Sequence, residues 1–193
     1  MDSPRKLEVL IPDGESEFAL FAAHCMTAFE NVRLHVLSSE RWAPIRFSRH
    51  CASYTFRPAS EDTVGQFEAI AEVVEKQHID VLLPTETSSI SWAVANRTAL
   101  SEIVAVVPLP DPASFEIANN KWLLAQFLTE HQIPCPTTVL ATYDDAFEAA
   151  VRELEFPVLL KPVSAWGGEG IERFERLDQL DRKSTRLNSS HYS

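Results

Sequence analysis

Lys161 and the glycines that follow it are the residue types that a phosphate-binding loop needs. The apolar run 158–160 directly precedes this lysine and predicts a buried strand that ends in it. Lysine supplies a compact positive charge, and glycines at 167, 168 and 170 let backbone N–H groups approach phosphate oxygens because no Cβ intervenes. The loop matches neither the G-x-x-x-x-G-K-S/T nor the G-x-G-x-x-G pattern. An ordinary strand with a solvated lysine and a flexible hairpin is the alternative interpretation.

A second lysine, Lys121, lies at the start of a predicted helix, with Asn119 or Asn120 as its N-cap. The helix is indicated by apolar residues at helical spacing, namely Leu123, Leu124, Phe127 and Leu128. Pro134 and Pro136 cannot continue it. A cation in the first turn opposes the helix dipole by about 0.3–1 kcal/mol, and a bound anion would remove that conflict. The alternative is a plain surface lysine.

The order of elements in this region resembles the nucleotide-binding part of the ATP-grasp superfamily, in which a lysine begins a helix and a second lysine ends the strand before a glycine-rich loop. After the helix at Lys121, the sequence predicts a strand at 136–140, a helix at 144–154 and the strand 158–161. The resemblance covers residues 7 to about 178. It implies an α/β fold: a Rossmann-like pre-ATP-grasp domain followed by the first, incomplete part of an ATP-grasp α+β domain.

By this resemblance, Lys121 and Lys161 contact the phosphates of ATP. The resemblance also assigns nucleotide binding to residues of the loop after the second lysine, namely Ser164, Gly167, Gly168 and Gly170. Leu159, two positions before Lys161, would line the adenine pocket. For Leu159, plain core packing is the alternative interpretation.

The first 110 or so residues alternate short strands and helices, as in a doubly wound Rossmann-like sheet. The pattern predicts strands at 7–11, 34–37, 80–84 and 103–107, and helices at 18–29, 63–77 and 90–100. The helix at 18–29 is apolar nearly all round, so we expect it to be well buried. In such folds, ligands bind beyond the carboxyl ends of the strands.

Two strand ends therefore attract attention: Asp13-Gly14 after the first strand and Glu86 after the strand at 80–84. The pre-ATP-grasp domain, which these segments resemble, often uses such loops to bind the acceptor substrate. The resemblance is nearest to predicted ATP-grasp carboligases, which are similar to the large subunit of carbamoyl-phosphate synthase. The structural alternatives are a turn at Asp13-Gly14 and helix caps at Ser16 or Thr87.

A small basic cluster interrupts an otherwise acidic chain, and it consists of Arg41, Arg46, Arg49 and His50. A solvated loop is the simpler interpretation. The alternative is a clamp for a carboxylate or phosphate, because the guanidinium fork binds such anions through two hydrogen bonds.

Charge and composition disfavour several classes of protein. The formal net charge is −11 at pH 7, which argues against nucleic acid or an anionic membrane as the main partner. No run of about 18 apolar residues predicts a membrane span, and no signal peptide is expected. Three widely spaced cysteines indicate a reducing cytoplasm, and the histidines lack metal-ligand spacing, so no metal ligands are assigned. The sequence leaves the oligomeric state open.

We expect a pre-ATP-grasp domain at 1–109 and the N-terminal part of an ATP-grasp domain at 110–180. Residues 181–193 are set apart, because the segment 181–191 resembles the translation of a common sequencing adapter. On this interpretation the ATP-grasp domain is truncated and its true C-terminus lies elsewhere.

The resemblance implies a ligase that activates a small-molecule carboxylate as an acyl phosphate with Mg-ATP and joins it to an amine or similar nucleophile. Ligands for Mg²⁺ are expected beyond residue 180, so we expect this polypeptide to be inactive as a ligase. A non-enzymatic Rossmann-like module that binds a small molecule or another subunit is the alternative. A nicotinamide dehydrogenase is disfavoured because no glycine fingerprint follows the first strand.

Overall fold

The computed structural model describes residues 5–59, 63–142, 145–165, 168 and 170–180, with the backbone alone at residues 145, 146 and 148. The chain divides into two compact units, with the division in sequence between Pro112 and Ala113. Unit 1 precedes this division and unit 2 follows it. The adapter-like tail 181–193 lies outside the described residues, and the domain limits expected from the sequence stay a proposal.

Unit 1 contains a five-stranded parallel sheet with the strand order β3-β2-β1-β4-β5. Its strands are β1 (Leu7–Ile11), β2 (Val32–Ser38), β3 (Cys51–Phe56), β4 (Val81–Leu82) and β5 (Ala105–Val106). The chain winds outward from β1 in both directions, so the strand order reverses beside β1. Ligands of doubly wound sheets bind at such a reversal, beyond the carboxyl ends of the strands. The Rossmann-like α/β fold expected from the sequence is confirmed.

Helices cover both faces of this sheet. They are α1 (Glu17–Met26), α2 (Thr63–Gln77), α3 (Thr87–Ala95) and α4 (Arg97–Ser101), with a 3₁₀ turn at Pro44–Phe47. Successive side chains of a strand point to opposite faces. Val9 and Ile11 therefore pack in one core cluster with α1, whereas Leu10 packs in the other with α2, α3 and α4.

Helix α1 was expected to be well buried because it is apolar nearly all round. This expectation was wrong. Only Ala19 and Ala23 are buried, whereas Phe18 is 39% and Phe21 56% exposed. The two alanines are four residues apart and share one side of the helix, so they bring it close to the sheet and leave the phenyl rings outside. The helix also ends at Met26, three residues before the predicted end.

Two other elements of unit 1 differ from the prediction. Strand β3 was not predicted; it is an edge strand of half-buried side chains, and its pairing with β2 shifts register between Leu34 and His35. The single helix expected over 90–100 is two helices, α3 and α4. Asn96 separates them, with φ −106° and ψ 18°, and its side-chain amide donates to the carbonyl of Trp92 at 2.8 Å.

Unit 2 contains three helices and a two-stranded antiparallel hairpin within its described part. The elements are α5 (Pro112–Asn119), α6 (Lys121–Glu130), α7 (Asp145–Arg152), β6 (Val158–Leu160) and β7 (Glu172–Phe174). The small core joins α7 to the hairpin through four buried residues, Phe147, Val151, Phe174 and Leu180. The strand expected over 136–140 is irregular chain, because no neighbouring described strand pairs with it, and α5 was not predicted.

No helix in the described ranges is long and apolar enough to cross a membrane. The cytoplasmic location and the lack of nucleic-acid and membrane partners stay predictions from the sequence.

The cysteines of unit 1 differ in exposure, which predicts unequal reactivity. Cys25 is exposed on α1, whereas Cys51 is half-buried at the start of β3 and burial raises the pKa of its thiol. A raised pKa leaves less thiolate, the reactive form, at pH 8. We expect iodoacetamide to alkylate Cys25 well before Cys51, as followed by peptide mass spectrometry. Equal rates in the folded protein would contradict this arrangement; equal rates in urea are expected.

Candidate functional site

Helix α6 begins at a lysine because Asn120 caps it. The side-chain oxygen of Asn120 accepts hydrogen bonds from the N–H groups of Trp122 and Leu123, both at 3.0 Å. These bonds satisfy two of the N–H groups that the first turn of a helix leaves unpaired. Lys121 therefore occupies the first helical position, where the backbone dipole favours an anion. The predicted helix start and its cap are confirmed.

Lys121 connects α6 to the loop that follows Lys161. Its backbone N–H donates to the carbonyl of Val163 at 2.9 Å, and its ammonium donates to the carbonyl of Ala165 at 2.6 Å. An ammonium has three donors, so the bond to Ala165 leaves two for another acceptor. The structure thus brings both predicted lysines to one segment, residues 161–165.

Lys161 follows β6, which pairs with β7 through Val158↔Phe174, Leu159↔Arg173 and Leu160↔Glu172. Val158 and Leu160 pack against the core of unit 2, whereas Leu159 is 52% exposed on the opposite face. The buried strand expected here was therefore wrong, because the two-stranded hairpin has core on one face only. Lys161 is exposed and makes no hydrogen bond or ion pair with any residue in the described ranges.

The glycines of the loop differ in how much space is available for an added Cβ atom. Gly170 has φ +67°, and a Cβ there would lie 2.8 Å from the Cγ of Pro162. Gly168 has φ +84°, and no atom of the described residues lies within 4 Å of a Cβ position there. Both conformations favour glycine. Ser164 is exposed, Gly167 lies outside the described residues, and nucleotide binding by these residues stays a prediction.

A separate set of polar residues lies at the carboxyl ends of the unit 1 strands. Asp13, directly beyond β1, is only 4% exposed. Its carboxylate accepts from the N–H and hydroxyl of Thr85, both at 2.8 Å, and from the N–H of Glu86 at 2.6 Å. The hydroxyl of Ser89 donates to it as well. Asp13 therefore ties the end of β1 to the start of α3.

Glu86 is the N-cap of α3, so the cap suggested at Thr87 was wrong by one residue. Glu86 and Ser89 form a reciprocal capping box. Ser16 caps α1, as suggested, by accepting from the N–H of Phe18 at 3.1 Å, and its hydroxyl donates to Glu86 at 2.8 Å. The two loops thus hold each other in place.

These contacts give Asp13 and Glu86 structural roles that the sequence did not distinguish from substrate binding. Substrate binding by Asp13, Gly14 and Glu86 stays a prediction. Sequence reasoning missed Ser89, although its position three residues after Glu86 is the spacing of a capping box and could have indicated it.

The basic cluster does not act as one group. Arg41 lies 4.7 Å from the centre of the Phe56 ring, and Arg46 lies 4.7 Å from Trp42 and 5.3 Å from Tyr54. Such cation–π contacts place these two arginines on aromatic faces. Arg49 and His50 instead line a cavity beside α1, away from the strand ends that carry Asp13.

No protein-family model matches the sequence. A probable alpha-L-glutamate ligase of Mannheimia succiniciproducens is 30% identical over 115 residues, which cover 58% of this chain and 38% of the relative. The carbamoyl phosphate synthase large chain of Campylobacter jejuni is 23% identical over 116 residues, which cover 58% of this chain and 11% of the relative. The matching stretch is therefore well under half the length of either curated relative.

Similar solved structures include a biotin carboxylase complex from Campylobacter jejuni, with a TM-score of 0.65 and 16% identity over 96% of this chain and 42% of that chain. An L-amino acid ligase from Bacillus licheniformis has a TM-score of 0.59 and 14% identity over 97% of this chain and 43% of that chain. These likenesses show the fold. Together with the two curated relatives, they support the resemblance of this chain to ATP-grasp proteins.

The close packing around Gly14 yields a prediction about stability. A Cβ at Gly14 would clash with Cγ1 of Val36 and lie 3.1 Å from the Cβ of Ser38. We expect Gly14→Ala to lower the free energy of unfolding by about 1–3 kcal/mol, the usual cost of overpacking. Adding Val36→Ala removes the clashing methyl, so the double variant is expected to be more stable than the two single losses predict. If urea unfolding shows that the stability losses of the two single variants simply add in the double variant, the predicted clash is contradicted.

Proposed function

We propose that the chain contributes the first part of an ATP-dependent ligase. The enzyme would activate a small-molecule carboxylate as an acyl phosphate and join it to an amine or a similar nucleophile. The observation that supports this proposal is the contact of Lys121 with the loop after Lys161, through bonds of 2.9 and 2.6 Å. This contact brings the ammonium of Lys121 to the segment that begins with Lys161.

The residues of this loop fit the phosphates of ATP. Among the residues that the structure describes, Lys161 lacks a partner and no atom lies within 4 Å of a Cβ position at Gly168. Phosphoryl transfer depends on positioning and on neutralising the negative charge of the phosphates, which lysines and backbone N–H groups provide. Under this proposal Lys161 and Lys121 bind phosphate oxygens, and Leu159, exposed on the same strand, packs against the adenine.

Magnesium would supply additional charge neutralisation, through one or two carboxylates and the phosphates themselves. The described ranges contain no group of three or more acidic, histidine or cysteine side chains able to hold a metal ion. We therefore assign no Mg²⁺ ligand in this chain; by resemblance to the superfamily, such ligands follow residue 180.

The relatives support the shared step of carboxylate activation and differ in the rest of their chemistry. Their names describe a glutamate ligase, an L-amino acid ligase and a carbamoyl phosphate synthase. One solved relative, a biotin carboxylase domain from Hydrogenobacter thermophilus, was crystallised with MgADP and bicarbonate. A small carboxylate is the substrate class that we propose for this chain.

The proposal is tested by titrating Mg-ATP into the ¹⁵N-labelled chain and following amide resonances by NMR. We expect saturable shifts at residues 159–165 and at Lys121, and weaker shifts with AMP, because the lysines bind the outer phosphates. NAD is the control ligand, since a nicotinamide-binding module would respond to it at the β1 loop. Shifts with NAD but none with Mg-ATP would refute the proposal.

A further inference from the structure

Strand β3 forms one edge of the unit 1 sheet. It spans six residues and pairs with β2 on one side. Within the described part of the chain, the one other backbone bond to β3 is a short turn, in which the N–H of Cys51 donates to the carbonyl of Ser48 at 3.1 Å. An edge strand of this length presents N–H and C=O groups with which another extended chain can pair. A peptide that binds in this way adds a strand to the sheet.

Two guanidinium groups stand over the aromatic side chains of β3. They come from the segment 39–50, which connects β2 to β3. Arg46 lies 5.3 Å from the ring centre of Tyr54, and Arg41 lies 4.7 Å from that of Phe56. Tyr54 and Phe56 are two residues apart, so their side chains share one face of the strand. On a strand paired alongside β3, side chains two positions apart would lie beside these same two residues.

These two guanidinium groups are not neutralised within the described residues. Arg46 donates to the backbone carbonyl of Arg41 at 2.7 Å, and neither arginine forms an ion pair there with a carboxylate, that of Glu40 included. Both arginines are exposed. The segment 39–50 contains three arginines and one acidic residue, in a chain whose net charge is −11. It is therefore a local positive region that complements an acidic ligand.

Two further carboxylates contact the ends of the paired strands, and both have partners. Glu15 accepts from the hydroxyl of Ser38 at 2.8 Å and from the N–H of Ser39 at 3.0 Å. Glu72 pairs with Arg57, the residue that follows β3. Neither carboxylate competes for the two arginines that stand over β3.

Two exposed aromatic rings extend this surface. Trp42 is 66% and Phe47 70% exposed, and their rings are parallel within 5°, with centres 6.4 Å apart. Arg46 lies 4.7 Å from the centre of Trp42, so it connects this ring pair to β3. Tryptophan, tyrosine and arginine are the residues that most often dominate protein–protein contacts. The ring pair is suited to an apolar side chain of a bound peptide.

We propose that the edge of β3 binds an extended acidic peptide segment of another protein as an added strand. Two acidic residues of the peptide, two positions apart, would pair with Arg46 and Arg41, and an apolar residue would pack on Trp42 and Phe47. A second copy of this chain fits less well, because a two-fold pairing of β3 edges would bring the arginines of both copies together. The proposal uses none of the residues of the phosphate loop, so it does not depend on the proposed ligase function.

The probe is the peptide acetyl-Thr-Glu-Thr-Glu-Thr-Leu-Thr-amide, titrated into the ¹⁵N-labelled 193-residue chain and followed by NMR. The control peptide, acetyl-Thr-Glu-Glu-Thr-Thr-Leu-Thr-amide, has the same composition and charge, but its two glutamates point to opposite faces of a strand. We expect saturable shifts at the amides of residues 53–56. The control should bind about threefold or more weakly, because it loses one exposed ion pair. Equal affinities, or no saturable shifts with the probe, would overturn the proposal.

A third peptide tests the backbone pairing. N-methylation of the third and fourth residues of the probe removes two successive N–H groups, one of which points to β3 whichever way the peptide runs. We expect this peptide to lose saturable binding. Unchanged affinity would show that side-chain contacts alone hold the probe and would overturn the added strand.

Three variants locate the surface. Arg41→Gln is expected to weaken binding of the probe about threefold or more, from the loss of one ion pair. Trp42→Ala should weaken it as well. Arg5→Gln is the matched control and should leave binding unchanged, because Arg5 is an exposed arginine that pairs with Asp80 on the far side of β2 from β3. Equal effects of the two arginine changes would refute the site.

Sedimentation velocity of the chain by itself distinguishes the other occupant. We expect the chain to sediment unchanged when the probe is added, apart from the small mass of the peptide. A dimer that the probe dissociates would assign the edge of β3 to a second copy of the chain and would overturn the proposal.

Discussion

Lys161→Ala is expected to weaken Mg-ATP binding by about 10- to 100-fold, the equivalent of losing one or two hydrogen bonds to a charged group. The side chain of Lys161 is exposed and has no partner among the described residues, so its removal leaves no buried group unsatisfied. Folding should therefore be unchanged. The measurement is an NMR or calorimetric titration of variant and parent with Mg-ATP under the same salt conditions.

Lys76→Ala is the matched control, because Lys76 is also an exposed lysine but lies in α2 of unit 1. If both variants lose affinity equally, only the general charge of the chain matters and the phosphate site is refuted. Unchanged affinity in Lys161→Ala would favour the non-enzymatic binding module.

Lys121 gives a less direct test, because its ammonium also holds the loop through the carbonyl of Ala165. Lys121→Ala would remove a charge and a loop contact together. A loss of ATP affinity in this variant therefore combines two causes, whereas the loss in Lys161→Ala has one. This difference follows from the structure and was not visible in the sequence, where both lysines had the same expected role.

The sequence pattern was sufficient to predict those helices and strands whose limits depend on their own residues. The predicted limits of β1 at 7–11 and of α2 at 63–77 agree with the structure, because apolar periodicity and flanking polar residues determine both. The start of α6 was predicted because Asn120 is a local N-cap. Strand β3 was missed because it exists through pairing with β2, and its own side chains carry a weak apolar pattern.

For the candidate site too, the residue types could be predicted from the sequence, whereas the contacts between distant residues could not. The residue types at Lys121 and Lys161 were visible in the sequence, but the bond from Lys121 to Ala165 spans 44 residues and depends on how α6 meets the loop. The partners of Asp13 are 72 to 76 residues away, at the start of α3. A turn dipeptide at Asp13-Gly14 indicates a bend and carries no information about such distant donors.

Asp13→Ala is expected to lower the free energy of unfolding of unit 1 by about 2–4 kcal/mol, because one partly buried backbone N–H group loses its acceptor and several hydrogen bonds to a charged group are lost. The N–H group that loses its acceptor is that of Thr85, whereas the N–H of Glu86 also lies 3.3 Å from the hydroxyl oxygen of Ser89. Ser89 loses less, because its hydroxyl also lies 2.9 Å from the carbonyl of Glu86 and can turn to it. Hydrogen exchange of the β1 and β2 amides measures this loss in unit 1 by itself.

Asp13→Asn separates hydrogen bonding from charge. The amide oxygen can accept from both backbone N–H groups, and the amide nitrogen can donate to the hydroxyl of Thr85, which already lies 2.8 Å from the other carboxylate oxygen. We therefore expect a loss of only about 1–2 kcal/mol, because the bonds remain but become weaker without the charge. An asparagine variant as unstable as the alanine variant would show that the negative charge itself is required. In that case a cation near the end of β1, and not the acceptor geometry, would explain why a buried carboxylate lies there.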